Sequence, residues 1–384
     1  MPSATRWDIF CRVVDNYGDA GVCWRLARQL AAEHALDPTL WLDDLAPLAR
    51  IAPGIDRGLE LQHAMGVAVR RWNEPFADAD VADATIEAFG CGLPDGYVAA
   101  MVQRPVAPTW LVLEYLSAEA WVDRSHGLAS PHPRLPLMRR FWFPGFTSRT
   151  GGLLRERGLL DARDRFVNDS GAQRDFWARL KVPPIAGGEI RASLFSYANR
   201  GLPALFDAWA AGDAPVTCIV PDGVAAAELA EWTGGDLPRP GASLTRNALT
   251  IHAIPFLPQD DYDRLLWACD VNFVRGEDSF VRAQWAARPF VWHIYPQAEG
   301  AHWRKLEAFL DLYAAALDRV PASGVRGLWR AWNGAPGASD LGTAWREFVS
   351  TRAALARYAG SWSNRLARLP DLASGLVAAG KDGV

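Results

Sequence analysis

VRGEDSFVRAQWAARPFVWHIYPQ, residues Val274–Gln297, reads as the end of a strand, a tight polar loop, a helix and a second strand. Asp270–Val274 is short and largely apolar, which suits a buried strand. Arg275, Gly276, Glu277, Asp278 and Ser279 interrupt it with a glycine and dense charge. Phe280–Ala287 has helical character, with Asp278 or Ser279 as candidate N-cap, and Pro289–Tyr295 is β-rich again. A strand-loop-helix-strand unit puts such a loop at the carboxyl edge of a parallel sheet, where open α/β folds bind ligands. The helix start presents N–H groups and a positive dipole end, which suit a phosphate. Arg275 adds a permanent cation and Ser279 a hydroxyl. Glu277 and Asp278 would repel a phosphate that they faced, so they are assigned to sugar hydroxyls or to capping. An ordinary capped helix with a surface salt bridge is the competing reading of the same spacing.

The start of the chain repeats the pattern. Trp7–Val14 is an apolar strand candidate that ends in Asp15–Asn16–Tyr17–Gly18–Asp19–Ala20–Gly21, and Val22, Leu26 and Leu30 follow at helical spacing. Thr39–Leu42 ends in Asp43 and Asp44, and Val67–Trp72, Ala84–Phe89, Trp110–Leu113 and Phe141–Phe143 are further strand candidates. Ala129–Pro136 is a loop by composition. Lys181–Gly188, KVPPIAGG, opposes helix and strand alike and reads as a linker. A second α/β set follows: strands Ala192–Tyr197, Val216–Val220 and Ala248–Ile254, with helices Gly201–Ala210, Ala225–Trp232 and Gln259–Ala268. The fold class is therefore α/β, with two Rossmann-like domains expected to face each other across a cleft.

Composition narrows the function. The 384 residues suffice for two domains, and half of them are apolar. A net charge of −4 disfavours a general nucleic-acid binder. Five scattered cysteines form no CxxC pair, which points to thiols in a reducing cytoplasm rather than disulfides or zinc. No signal pattern and no apolar run long enough for a bilayer is present. The 18 tryptophans are expected mainly in the core. No P-loop and no G-x-G-x-x-G after a strand is found, and the seven histidines show no metal-binding spacing. Asp78–Ala79–Asp80 is a DxD, a pattern that can hold a metal on a diphosphate, but its polar surroundings favour a loop. No metal is expected, because Arg275 and a helix terminus can hold a diphosphate between them.

Asp15 and Asp19 lie four apart across a glycine turn. Such a turn can aim both carboxylates into a cleft, one to accept a proton and one to orient the acceptor. Turn and cap chemistry explains the same pattern. Phe195, Ser196, Tyr197, Phe256, Gln259, Tyr262 and the Arg275–Ser279 loop fall at strand ends or just after them. Aromatic faces can stack a base, and Gln259 can bond a phosphate or a base edge. Each ring taken singly reads equally as core. His293 is expected to be a hydrogen-bonded core residue. Glu114–Tyr115–Leu116–Ser117 either grips an acceptor or simply ends a strand, and Arg134, Arg139 and Arg140 are candidates for a basic acceptor patch.

RGEDSFVRAQWAARPFVWHIYPQ and WDIFCRVVDNYGDAGVCWRLARQLA, with LEYLSAEAW, SPHPRLPLMRRFWFPGF and TGGLLRERGL between them, closely resemble the protein-arginine rhamnosyltransferases that modify elongation factor P, the EarP family. The resemblance covers nearly all of the chain and is weakest in 225–245 and after 315. It implies a GT-B-type fold, with 1–183 as an acceptor domain, 184–360 as a nucleotide-sugar domain and about 361–384 crossing back to the first. It implies inverting transfer of L-rhamnose from dTDP-β-L-rhamnose to an arginine of elongation factor P, which activates that factor to rescue stalled ribosomes. Asp19 is then the catalytic base and Asp15 its partner. Glu277 also takes a catalytic position, on ribose or rhamnose hydroxyls. Phe195, Tyr197, Phe256, Gln259, Tyr262, Arg275, Asp278 and Ser279 hold the donor; the family often has Phe where this chain has Tyr262. No cofactor, nucleic acid or membrane is implied. A glycosyltransferase with a small-molecule or glycan acceptor, and a non-enzymatic nucleotide-binding partner protein, are the alternatives.

Overall fold

The computed structural model describes residues 5–73, 76, 80–185, 187–235 and 238–381. The chain divides into two compact units, 1–157 with 367–384, and Gly158–Leu366.

The first unit holds β1 (Arg6–Cys11), β2 (Asp37–Leu42), β3 (Leu61–Ala64), β4 (Val67–Arg71), β5 (Ala84–Ala88), β6 (Thr109–Leu113), β7 (Ala129–Pro131) and β8 (Met138–Trp142). They form one sheet in the order β3-β4-β2-β1-β5-β6-β8-β7. All neighbours are parallel except β3 on β4 and β7 on β8, the two edges. From β1 the chain builds outward to β2 on one side and later to β5 and β6 on the other, so strand order reverses between β1 and β5. A crevice at the carboxyl ends of the strands is the physical consequence of such a reversal. The helix Leu372–Lys381 packs in this unit against the helix Tyr17–His34. The Gln29 amide fastens it by donating to Asp371 Oδ1 (3.1 Å) and to the Arg155 carbonyl (2.9 Å). Gly152 is required where the returning chain passes: its φ is +73°, and a Cβ there would lie 2.1 Å from the Pro370 carbonyl oxygen.

The second unit holds β9 (Ile190–Leu194), β10 (Val216–Pro221), β11 (Ser243–Arg246), β12 (Leu249–Ile254), β13 (Val271–Arg275) and β14 (Phe290–His293), in the order β11-β12-β10-β9-β13-β14. Every pair is parallel except β11 on β12, and order reverses between β9 and β13. β9, β10 and β13 are buried at every position, and polar residues among them are bonded there: Ser193 Oγ donates to Asn272 Oδ1 at 2.6 Å. The tryptophans fill cores as expected: Trp209, Trp285, Trp329, Trp332 and Trp362 of this unit are almost fully buried.

Several sequence expectations differ from the structure. β3, β7 and β11 are short edge strands with no fully buried position; pairing on one side suffices for them, so they carry no apolar alternation. The Lys181–Gly188 stretch lies within the second unit, and the division falls upstream, at 157/158. The reason is packing. On the helix Leu159–Asn168, Phe166 meets the Trp267 ring at 5.9 Å, and Arg163 donates to the Trp285 carbonyl (2.8 Å) and to Ser363 Oγ (3.1 Å). Among the described residues, no helix is long and apolar enough to cross a membrane.

Two helices flank the carboxyl edge of β13, Gln259–Ala268 and Asp278–Ala286. They are joined by a bidentate ion pair, Arg282 to Asp263, at 2.9 and 2.6 Å, with side chains only 2 % and 5 % exposed. Removing one partner of such a pair strands the other charge away from water. Asp263→Ala is expected to lower unfolding stability by about 3–5 kcal/mol in a denaturant titration; a loss below about 1 kcal/mol, the level of an exposed pair, would show that solvent reaches Arg282.

Candidate functional site

Each unit carries sequence-predicted residues at its own strand-order reversal.

In the first unit, Asp15 and Asp19 follow β1. Asn16, between them, has a φ of +45°, a conformation that Asn tolerates better than most residues. That turn directs two successive main-chain N–H groups at one carboxylate oxygen. Val14 and Asp15 donate to Asp19 Oδ2 at 2.8 and 2.7 Å. Asp19 sits in the first turn of the helix Tyr17–His34, where the dipole also favours an anion. The turn-and-cap reading of these acids is therefore met by Asp19, which adds burial to it: Asp19 is 1 % exposed and Asp15 8 %. Gly18 makes room for Asp15, because a Cβ at Gly18 would lie 2.4 Å from Asp15 Oδ2.

Burial raises the Asp19 pKa above the ordinary carboxylate value, and the nearby Asp43 adds to the rise. Hydrogen bonds from the Asp15 and Val14 N–H groups and from the Tyr115 hydroxyl oppose it. Asp43, at the end of β2, also accepts from the Val13 N–H at 2.8 Å and so pins the same loop from the other side. Tyr115 and Asp43 were visible in the sequence as polar residues ending strands, but nothing there tied either one to Asp19.

In the second unit, β9 and β13 end side by side. The Arg275 guanidinium lies over the Phe195 ring (4.8 Å) and the Tyr197 ring (4.4 Å). Phe195 continues the row to Tyr262 (centroids 5.5 Å apart) and Phe256 (6.1 Å). The rings expected to face a base thus also cradle a cation, a contact sequence spacing does not reveal. The Asp278–Ala286 helix has Glu277 at its N-cap position and no side-chain cap, so neither Asp278 nor Ser279 caps it. The Ser279 hydroxyl instead accepts from the Arg275 N–H at 3.0 Å and donates to the Arg275 carbonyl. Asp278 Oδ2 accepts from the Gln259 amide at 3.0 Å, which ties together the starts of the two flanking helices. Gly276 turns the loop with a φ of +60°, and its carbonyl accepts from Trp292 Nε1 at 2.9 Å. Glu277 is half-buried beside it.

The DxD is divided: Asp78 and Ala79 lie outside the described residues, while Asp80 is paired with Arg6 at 2.6 Å. His293 ends β14 beside Arg275 in register, between the rings of Tyr197 (5.3 Å) and Trp332 (5.6 Å). The hydrogen bond expected of it is not present at its Nδ1, which is buried without a partner among the described residues. Burial, followed by the charge of Arg275, pushes its pKa down to about 4. An NMR titration is expected to show His293 neutral throughout pH 6–8, with a midpoint near 4. A midpoint close to the ordinary histidine value of about 6.5 would mean that the ring is hydrated.

Comparison with known proteins places this arrangement. The family model "Elongation-Factor P (EF-P) rhamnosyltransferase EarP" matches residues 7–380. A protein-arginine rhamnosyltransferase of Pseudomonas putida is 50% identical over 371 residues, 97% of each chain. That of Pseudomonas aeruginosa is 47% identical over the same coverage. A solved structure described as the structural basis for EarP-mediated arginine glycosylation of translation elongation factor EF-P matches with a TM-score of 0.70 and 38% identity, over 99% of each chain. Spinosyn rhamnosyltransferase SpnG, at 11% identity and a TM-score of 0.50 over 97% of this chain and 99% of its own, shares the fold alone. The chain is thus a glycosyltransferase of GT-B fold that belongs to the EarP family of protein-arginine rhamnosyltransferases.

Proposed function

We propose that this enzyme transfers L-rhamnose from dTDP-β-L-rhamnose to one arginine of elongation factor P, with inversion at the anomeric carbon. The observation that carries the reading is the buried, clasped carboxylate of Asp19 at the β1 end, in a chain whose family acts on arginine. The chemical obstacle is the acceptor. A guanidinium stays protonated at neutral pH and offers no lone pair for attack. A desolvated carboxylate answers both needs. It binds the cation strongly, and it accepts a proton as the nitrogen bonds to carbon.

In this scheme the C–N bond forms at the anomeric carbon as the bond to the diphosphate oxygen breaks. The proton passes to Asp19, and Asp15 helps to orient the guanidinium. Thymidine diphosphate leaves with its growing negative charge against Arg275 and the start of the Asp278–Ala286 helix. Phe195, Tyr197, Phe256 and Tyr262 supply the apolar surface for the nucleoside, and Gln259 and Ser279 set the positions of Asp278 and Arg275. Glu277 anchors sugar hydroxyls. A permanent cation and a helix terminus neutralise the leaving group without a metal. The reaction is placed in the cytoplasm, where elongation factors act.

Incubating the enzyme with dTDP-β-L-rhamnose and elongation factor P tests the reading directly. Mass spectrometry is expected to find one deoxyhexose, on an arginine, at the same rate with and without a chelator. An unmodified factor together with a modified small molecule or glycan would identify a different acceptor. A rate lost to the chelator and restored by a divalent cation would contradict the metal-free account.

A further inference from the structure

We infer that Tyr115 is a positioning residue for Asp19, and that Phe89 holds the Tyr115 ring in place. The inference rests on the reading of Asp19 as the proton acceptor. Two main-chain bonds to the Asp19 carboxylate go to Oδ2 and come from its own loop. Those two bonds anchor one oxygen but leave the carboxylate plane to be fixed from elsewhere. The Tyr115 hydroxyl, arriving just past the end of β6, bonds Asp19 from outside that loop.

A second observation points to the same residue. Phe89, directly after β5, has a φ of +57°, left-handed backbone that bulky side chains rarely adopt. Such a conformation persists only where surrounding contacts dictate it, and it concentrates at functional sites. Here its ring stacks on that of Tyr115 with centroids 4.5 Å apart and planes 16° from parallel. The Phe89 N–H also donates to the Leu113 carbonyl at 2.6 Å, tying the ends of β5 and β6 together. The loops after β1, β5 and β6 are thereby assembled around one carboxylate.

The chemistry explains why a phenol suits the place. Asp43, from the end of β2, works against ionisation of Asp19; Asp15 stands in the same loop, and Cys11, on β1, lies close enough to feel the charge. A lysine or arginine bonded to Asp19 would counter Asp43 but would also repel the incoming guanidinium. A neutral O–H donor stabilises and orients the carboxylate without adding a cation.

Tyr115→Phe keeps the stacked ring and deletes the donor. The test is the pH profile of kcat/KM for rhamnosyl transfer. Wild type is expected to lose activity on the acid side as Asp19 takes up a proton. In Tyr115→Phe that limb moves up by about one pH unit, an approximately tenfold loss on the limb, with a smaller pH-independent loss of kcat above it as the carboxylate loses its alignment, and KM for the donor unchanged. Phe89→Leu moves the limb the same way by a smaller amount. A limb that stays in place, whether or not activity falls at every pH, overturns the inference. A wild-type profile with no acid limb would instead count against Asp19 as the base and remove the group on which Tyr115 is said to act.

Discussion

A carboxylate taken out of water must be hydrogen-bonded where it sits, and the first unit is arranged to meet that need at Asp19. Leaving a buried charged group unsatisfied costs more than an ordinary hydrogen bond returns. The Val14 and Asp15 N–H groups, the positive φ of Asn16, the side-chain-free Gly18 and the Asp43 bond to Val13 all act on one short loop. These features answer the demands of the acceptor. Arginine is the least acidic of the cationic side chains, and a hydrated carboxylate would be a weak base toward it. Burial raises the proton affinity of Asp19, while the hydrogen bonds keep it from becoming a permanently protonated acid.

In the proposed reaction the second unit meets the opposite requirement, a site for an anion. The Arg275 guanidinium lies over two aromatic faces, where it is less hydrated than on an open surface. The Arg282–Asp263 pair and the Gln259–Asp278 bond fix the two helices on either side of the loop. The neutral His293 beside Arg275 adds no second charge. Both units place these groups at the reversal of strand order. There two neighbouring strands send their connections to opposite sides and leave an opening at the sheet edge.

Much of this was legible in the sequence because strand ends announce themselves. A run of apolar residues that stops at Asp-Asn-Tyr-Gly-Asp, or at Arg-Gly-Glu-Asp-Ser, marks a carboxyl edge, and that pattern located Asp15, Asp19 and the 275–279 loop at strand ends, while their roles came from the family resemblance. Contacts between segments distant in sequence were not legible. Spacing does not reveal that Tyr115 reaches Asp19, that Phe89 underlies it, or that Arg275 lies over Phe195 and Tyr197. The cap at Asp278 or Ser279 was misread for a similar reason. Ser279 had a better partner in the Arg275 main chain, and Asp278 in Gln259. The edge strands β3, β7 and β11 and the unit to which 158–180 belongs were hidden because one-sided pairing and helix packing leave little periodic trace.

The central claim is that Asp19 takes the proton from the acceptor arginine, and a single substitution addresses it. Asp19→Asn preserves size and can still accept the main-chain hydrogen bonds, but it cannot act as a base at neutral pH. Single-turnover transfer should be measured on this variant in the same sample in which thymidine diphosphate binding is titrated. The account predicts wild-type-like nucleotide affinity with no detectable rhamnosyl transfer. Transfer at the wild-type rate would contradict it.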